Sequence, residues 1–571
     1  MFYTATLDTF ASLRRKSDIS DTERPRQTEQ ILIRRKEIMA YIMTRYMFDT
    51  VIKNSTLFGL DGGKSAGTDL GIKDGRIAKI GDLAETASKV IDGTGLYTMP
   101  GFVDSHSHSD YYLLIDPSAE GKIRQGVTTE IGGNCGYSSA PIGGEILDVR
   151  RDAYQTQFGL NIDWADFSQY WDRLKIKGSA VNYAGLIGYN TVRASILGSR
   201  DVPFEGGVKE TVKKTISDNL AQGAVGLSVG LVYPPACFAT LDEMTEVVAT
   251  TAKAGKIFTT HIRSEGPRLV ESIEEVVEIA RRTGVKLQIS HLKTAGKENW
   301  HKLDRVFAII EEARARGTDV CCDRYPYVAS NTGLQVVLPD WAFDGGRNAV
   351  IERLNSKETR QKLKEEILLN HPDKEYWDTV MVSQVVTKQN ARFEGVTVTK
   401  GAELTNKDAF DFIFDLLLEE KTEVEAIYFC MSESNMDRII LKDYVMIGSD
   451  AGARSTTGPL GIGKPHPRTF GSFPRFFSEY VFKKKLVSMP DAVRKTSTMA
   501  CERFGLKERG VLKEGFFADI VMLDPTKLAD TSSYENPLSY PTGIDYVWVN
   551  GALTLDRDKN TGALAGRGLI I

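Results

Sequence analysis

From Gly101 to about Gly505 the chain repeats one pattern: a short, almost unbroken apolar run, a loop, then a longer stretch whose apolar residues recur every three or four positions. Runs of the first kind read as strands buried on both faces, and stretches of the second kind as helices with one apolar stripe. Eight strands are predicted in this way: TMPGFVDSH, VTTEIGGN, VNYAGLIGY, AVGLSVGL, KIFTTHI, VKLQISHL, TDVCCDRYPY and DYVMIGSD. The stretches VESIEEVVEIARRTG and HKLDRVFAIIEEARARG show the amphipathic helical period most clearly, and each ends at a glycine suited to a C-terminal cap. Strand and helix in alternation predict parallel pairing with crossovers. Eight such units predict a closed (β/α)8 barrel of the TIM type.

The pattern changes at both ends. From Phe48 to Pro100, and again from about 506 to 571, short alternating runs such as TDLGIKDGRIAKIGD and DYVWVNGALTL are separated by tight turns, with Asp74-Gly75 a strong hairpin signal. The two ends are expected to build one small β-sandwich, with 101–505 inserted between them. Residues 1–47 are polar and charged with little periodicity, and read as a tail or upstream extension, with Met39, Met43 or Met47 as candidate natural starts. About 115 residues separate the seventh and eighth strands, more than one crossover requires, so a lid-like subdomain is expected within about 335–430.

Composition narrows the function classes. Net charge is −4 with acidic and basic residues interleaved, which gives no field suited to nucleic acid or an anionic membrane. A small-molecule substrate is expected. Six scattered cysteines without a C-x-x-C pair read as thiols of a reducing compartment. With no bilayer-length apolar run and no secretory signal pattern, the sequence reads as cytoplasmic.

The candidate chemistry sits at the strand ends. His106 and His108 are two residues apart in an extended segment, so both can face one ion. Histidine is scarce, seven in 571 residues, yet His261 and His291 also end β-branched apolar runs, Cys135 follows the second strand, and Asp450 ends the eighth. In a barrel these six reach one face, where such folds carry their chemistry. Imidazole, thiolate and carboxylate form a donor set suited to zinc.

The stretches PGFVDSHSHSD, QGVTTEIGGNCGYSSAP, TTHIRSEG, ISHLKTAG, YPYVAS, IGSDAG and PHPRTFGSFPR, in that order, resemble the amidohydrolase superfamily and within it the N-acyl-D-amino acid deacylases, or D-aminoacylases. The resemblance implies a metal-dependent hydrolase that splits the amide of an N-acyl-D-amino acid. His106 and His108 would hold one metal position and His261 and His291 the other, with Cys135 where many relatives use a carboxylated lysine, and Asp450 as ligand and catalytic acid–base. One tight zinc site is expected on Cys135, His261 and His291, and a weaker second one at the histidine pair. Tyr233, Lys293, Tyr325, Ser330 and Arg468 are the implied substrate contacts, the two cations for an α-carboxylate. Between Asp450 and PHPR this chain carries extra residues, AGARSTTGPLGIGK, which bear on the register of Arg468. The alternatives are a cyclic amidohydrolase of the hydantoinase or dihydropyrimidinase type, against which Cys135 counts, and a non-catalytic structural relative, against which the full ligand set counts.

Overall fold

The computed structural model describes residues 48–60, 63–84, 86–371 and 373–571. The expected tail and the choice of starting methionine lie outside the described residues. Eight parallel strands form the central layer in chain order: Phe102–Asp104, Val127–Gly132, Asn182–Gly188, Gly226–Gly230, Ile257–His261, Lys286–Ile289, Val320–Arg324 and Val445–Ile447. The first and last approach through one parallel bridge, Ser107 to Ala451, supported by Asp450 N donating to His106 O at 2.8 Å. The barrel is therefore nearly closed, and its closing seam is built from the residues that carry the candidate chemistry.

The helices follow from their sequence. Leu269–Thr283 buries Leu269, Ile273, Val276, Ile279 and Ala280 against the strands, and Gly284 ends it at φ 68° with its N–H on Ala280 O. Only a residue without Cβ takes that conformation at little cost. Leu303–Ala315 stops one residue earlier than the glycine suggests, at Arg316, and Gly317 then takes the positive φ of 90°.

The expected first strand, TMPGFVDSH, is two strands. Tyr97–Pro100 pairs antiparallel with Ile520–Leu523 in the terminal sheet, while Phe102–Asp104 pairs with Val127–Gly132 in the barrel. The chain changes partner at Gly101, whose N–H bonds Asp519 O, and the Thr128 side chain occupies the space a Cβ would need there. The terminal sheet has nine strands, eight in one hydrogen-bonded path and Ala87–Asp92 branching from Phe48–Leu60, folded around Ile52, Leu70, Ile72, Ile520, Met522 and Trp548. Its 13-residue strand Phe48–Leu60 bends at register shifts, and so pairs with both Ala87–Asp92 and Tyr97–Pro100. The last residues leave this sheet: Gly566, Arg567 and Leu569 bond along Ser179 and Tyr183 beside the third barrel strand.

Between the seventh and eighth barrel strands lies a three-stranded antiparallel sheet with Glu425–Tyr428 in the middle, flanked by Ser330–Gly333 and Val380–Gln384. Helices including Lys357–Asn370 and Ala409–Glu419 pack on it around a separate core of Leu354, Leu363, Ile413, Leu417 and Ala426. Among the described residues no helix is long and apolar enough to cross a membrane.

Candidate metal centre and substrate cavity

Three of the six sequence-predicted chemical residues stand in the left-handed backbone region: Cys135 at φ 52°, His291 at φ 34° and Asp450 at φ 52°. A non-glycine residue there costs of order 1–3 kcal/mol and persists where the surroundings over-determine it. Each follows the end of its strand and turns its side chain back over the barrel mouth. The result is two overlapping groups of ligand atoms, His106 with His108, Cys135 and Asp450, and Cys135 with His261 and His291, the atoms of each group within 4.8 Å of one another. Cys135 belongs to both.

The spacings suit a metal. Cys135 Sγ lies 3.3 Å from His106 Nε2 and 3.5 Å from His291 Nε2, and Asp450 Oδ1 lies 3.4 and 3.0 Å from the Nε2 atoms of His106 and His108. A tetrahedral zinc with bonds of about 2.3 Å to sulfur and about 2.0–2.1 Å to nitrogen sets its S and N ligands about 3.6 Å apart. His261 Nδ1 is buried without a hydrogen-bond partner, an orphaned atom of the kind that a metal satisfies. The residues fit a divalent ion, and the thiolate and imidazoles favour zinc.

Charges around the cluster prepare it. Burial alone would raise the Cys135 thiol, but the imidazoles of His106 and His291 outweigh it and hold the pKa well below the ordinary value. Burial likewise opposes ionisation of Asp450, and Arg468, His106 and His291 hold it well below the usual carboxylate range. Arg468 Nη1 reaches Asp450 Oδ2 at 2.7 Å, and its Nη2 donates to Asn331 O at 3.1 Å. The extra residues after Asp450 form a loop that Arg454 gathers by donating to the carbonyls of Leu460 and Ile462, and the chain returns through His466, whose Nδ1 accepts from Arg468 N at 2.9 Å.

Lys293 does not stand free at the mouth. It pairs with Glu265, and His291 Nδ1 lies 2.8 Å from its Nζ and 2.9 Å from Glu265 Oε1. Tyr233 lines the cavity, its hydroxyl 3.0 Å from Thr332 Oγ1 and its ring 4.9 Å from that of His261. Ser330 also lines it, with only a 3.9 Å contact to Cys430 Sγ. Tyr325 is buried between the guanidinium groups of Arg324 and Arg468, and its hydroxyl has no partner.

Two carboxylates that the sequence reading did not single out complete the support. Glu265 faces His291, His261 and Lys293 from the loop after the fifth strand. Asp323, inside the seventh strand, reaches His106 Nδ1 at 3.0 Å, accepts from His291 N at 2.7 Å and from Gln288 Nε2 at 3.0 Å. Beneath the closing seam a buried Lys122 binds Asp104, Glu130, Ser449 and the Ala451 carbonyl. A signal for Asp323 was present: a carboxylate within an apolar strand run needs a buried partner.

Above the centre opens a cavity of about 540 Å³, walled by the barrel loops, the helix Gly144–Phe158 and the inserted three-stranded sheet. Residues 89–195 match the model of the amidohydrolase family. A D-aminoacylase of Alcaligenes xylosoxydans xylosoxydans is 34% identical over 91% of this chain and 97% of its own length. Among solved structures, an N-acyl-D-glutamate deacylase from Bordetella bronchiseptica, complexed with zinc and a phosphonate mimic of the tetrahedral intermediate, is 29% identical, covers 92% of this chain and 100% of its own, and superposes with a TM-score of 0.78. A D-aminoacylase structure described for its binuclear metal centre is 32% identical over 92% of this chain and 100% of its own, with a TM-score of 0.77.

Proposed function

The chain belongs to the D-aminoacylase family of amidohydrolases, and from that premise we propose that it hydrolyses N-acyl-D-amino acids to a carboxylate and a free D-amino acid, with zinc as its metal. The observation that carries the proposal is the shared Cys135 thiolate between two imidazole groups, with an ionised Asp450 alongside. Cys135, His261 and His291 are assigned the tighter position, and His106 and His108 with Asp450 a second, weaker one. Zinc there supplies Lewis acidity to the acyl carbonyl and lowers the pKa of the attacking water.

The protein's own groups do the rest. Asp450 Oδ1, turned toward His106 and His108, takes the water's proton and hands it to the departing amine nitrogen. Arg468 on Oδ2 keeps that carboxylate ionised and orients it. Ser330 and the remaining N–H groups of Arg468 and Lys293, all on the cavity wall, receive the substrate α-carboxylate; Tyr325, expected from the sequence to join them, is buried off that wall and backs the Arg468 guanidinium with its ring. Tyr233 walls the cavity beside His261. With carboxylate and acyl carbonyl both fixed, only one enantiomer can direct its side chain into the open space.

The test is a panel of N-acetyl-D- and N-acetyl-L-amino acids, their α-carboxamides and a hydantoin. Hydrolysis of the D acids well above their L counterparts and amides is the expected result. Preferential opening of the hydantoin, or equal rates on acid and amide, overturns it.

A further inference from the structure

The cavity is lined by several cations, and nearly all are already engaged. Lys293 pairs with Glu265, Arg468 with Asp450 and Arg347 with Glu423. Arg454 spends its guanidinium on Gln384 and two loop carbonyls. Arg150 is different. It is half-buried on the inner side of the helix Gly144–Phe158, and among the described residues it has neither an ion-pair partner nor a hydrogen-bond acceptor.

Its surroundings are phenols. The guanidinium lies 5.9 Å from the ring centre of Tyr137, with Tyr154, Tyr111 and Tyr112 its other phenolic neighbours, and a second cation, Arg347, is close enough to feel its charge. Tyr112, Tyr137 and Tyr154 line the same cavity. Tyr137 lies 5.9 Å from Tyr233, ring to ring, and Tyr233 lies against His261. Arg150 thus looks into the substrate space from two aromatic rings beyond the centre, on a wall opposite no carboxylate of its own. A guanidinium left without an acceptor in a tyrosine-walled cleft is set to receive an anion, with planar geometry suited to a carboxylate.

We propose that Arg150 forms an anion subsite for a second carboxylate of the substrate, distinct from the α-carboxylate. That carboxylate can come from two sources, an acidic D-amino acid side chain or a dicarboxylic acyl group. The inference rests on the deacylase reading above, and it narrows the substrate class to molecules carrying two carboxylates.

The experiment compares kcat/KM for N-acetyl-D-glutamate against N-acetyl-D-glutamine, and for N-succinyl-D-leucine against the neutral N-butanoyl-D-leucine. It is run on the wild type, Arg150→Met and Arg150→Lys. In the wild type one charged substrate should exceed its neutral partner by about ten- to a hundredfold, the effect of one charged hydrogen bond. The pair showing this preference identifies the source. That ratio should collapse toward one in Arg150→Met and be partly kept in Arg150→Lys. The neutral partner, measured in the same preparation, controls for misfolding. A wild type that favours neither charged substrate, or a ratio that survives Arg150→Met, overturns the subsite while leaving the deacylase reading intact. Failure to hydrolyse any of the four D substrates would instead remove the deacylase reading on which the subsite depends.

Discussion

Asp323 never reaches the cavity, yet it holds two of the imidazoles: His106 through Nδ1 and His291 through its backbone N–H. With Nδ1 of His106 committed to a carboxylate, Nε2 is left to face Cys135, so tautomer and ring angle are set together. Asp323→Asn keeps the shape but weakens that orientation. It should lower zinc affinity by about 10- to 100-fold, read as zinc retained against a competing chelator, with the fold unchanged by circular dichroism. Asp450→Asn should act differently, retaining metal and losing turnover by about 10²- to 10⁴-fold, because the amide cannot accept the water's proton. Rate and metal content measured on one sample separate the two roles. The six residues of the centre could be read in the sequence because scarce residue types fell at strand ends. Glu265 was harder to find, since a glutamate in a loop is ordinarily solvated, and only the fold turns it toward His291 and Lys293.

At the scale of elements, periodicity located the eight barrel strands and their helices because each had to bury a recognisable face. It could not divide TMPGFVDSH, whose two halves are equally apolar; the division comes from Asp519 and Gly126 competing for the backbone on either side of Gly101. The inserted sheet was foreseen as an excess of length, but nothing local marked Asn331, Gln384 and Glu425 as cavity walls. Because this element has a core of its own, damage there should stay there. Ile413, fully buried in that core, gives a clean test. Ile413→Ala should cost about 2–5 kcal/mol locally, seen as lost hydrogen-exchange protection over 380–428. KM should rise more than kcat falls, with zinc content unchanged. Loss of zinc in that variant would mean that the insertion helps to hold the centre.

Across the whole molecule, the two ends of the chain meet in one sheet, and that sheet abuts the barrel where the first barrel strand begins. His106 is four residues into this junction, so sheet, closing seam and centre are built on continuous chain. The barrel mouth assembles Cys135, four histidines and Asp450 from the ends of five strands, and the claim that this assembly hydrolyses N-acyl-D-amino acids through zinc can be put to one titration. Metal-free protein, prepared with chelator, is titrated with zinc while initial rates are followed on the best N-acyl-D-amino acid and on its L enantiomer. The account predicts no turnover without metal, a rise on the D substrate that is complete at about one zinc per chain for the tight position, and a flat line on the L substrate. Equal rates on the two enantiomers, or full activity in the metal-free protein, would contradict it.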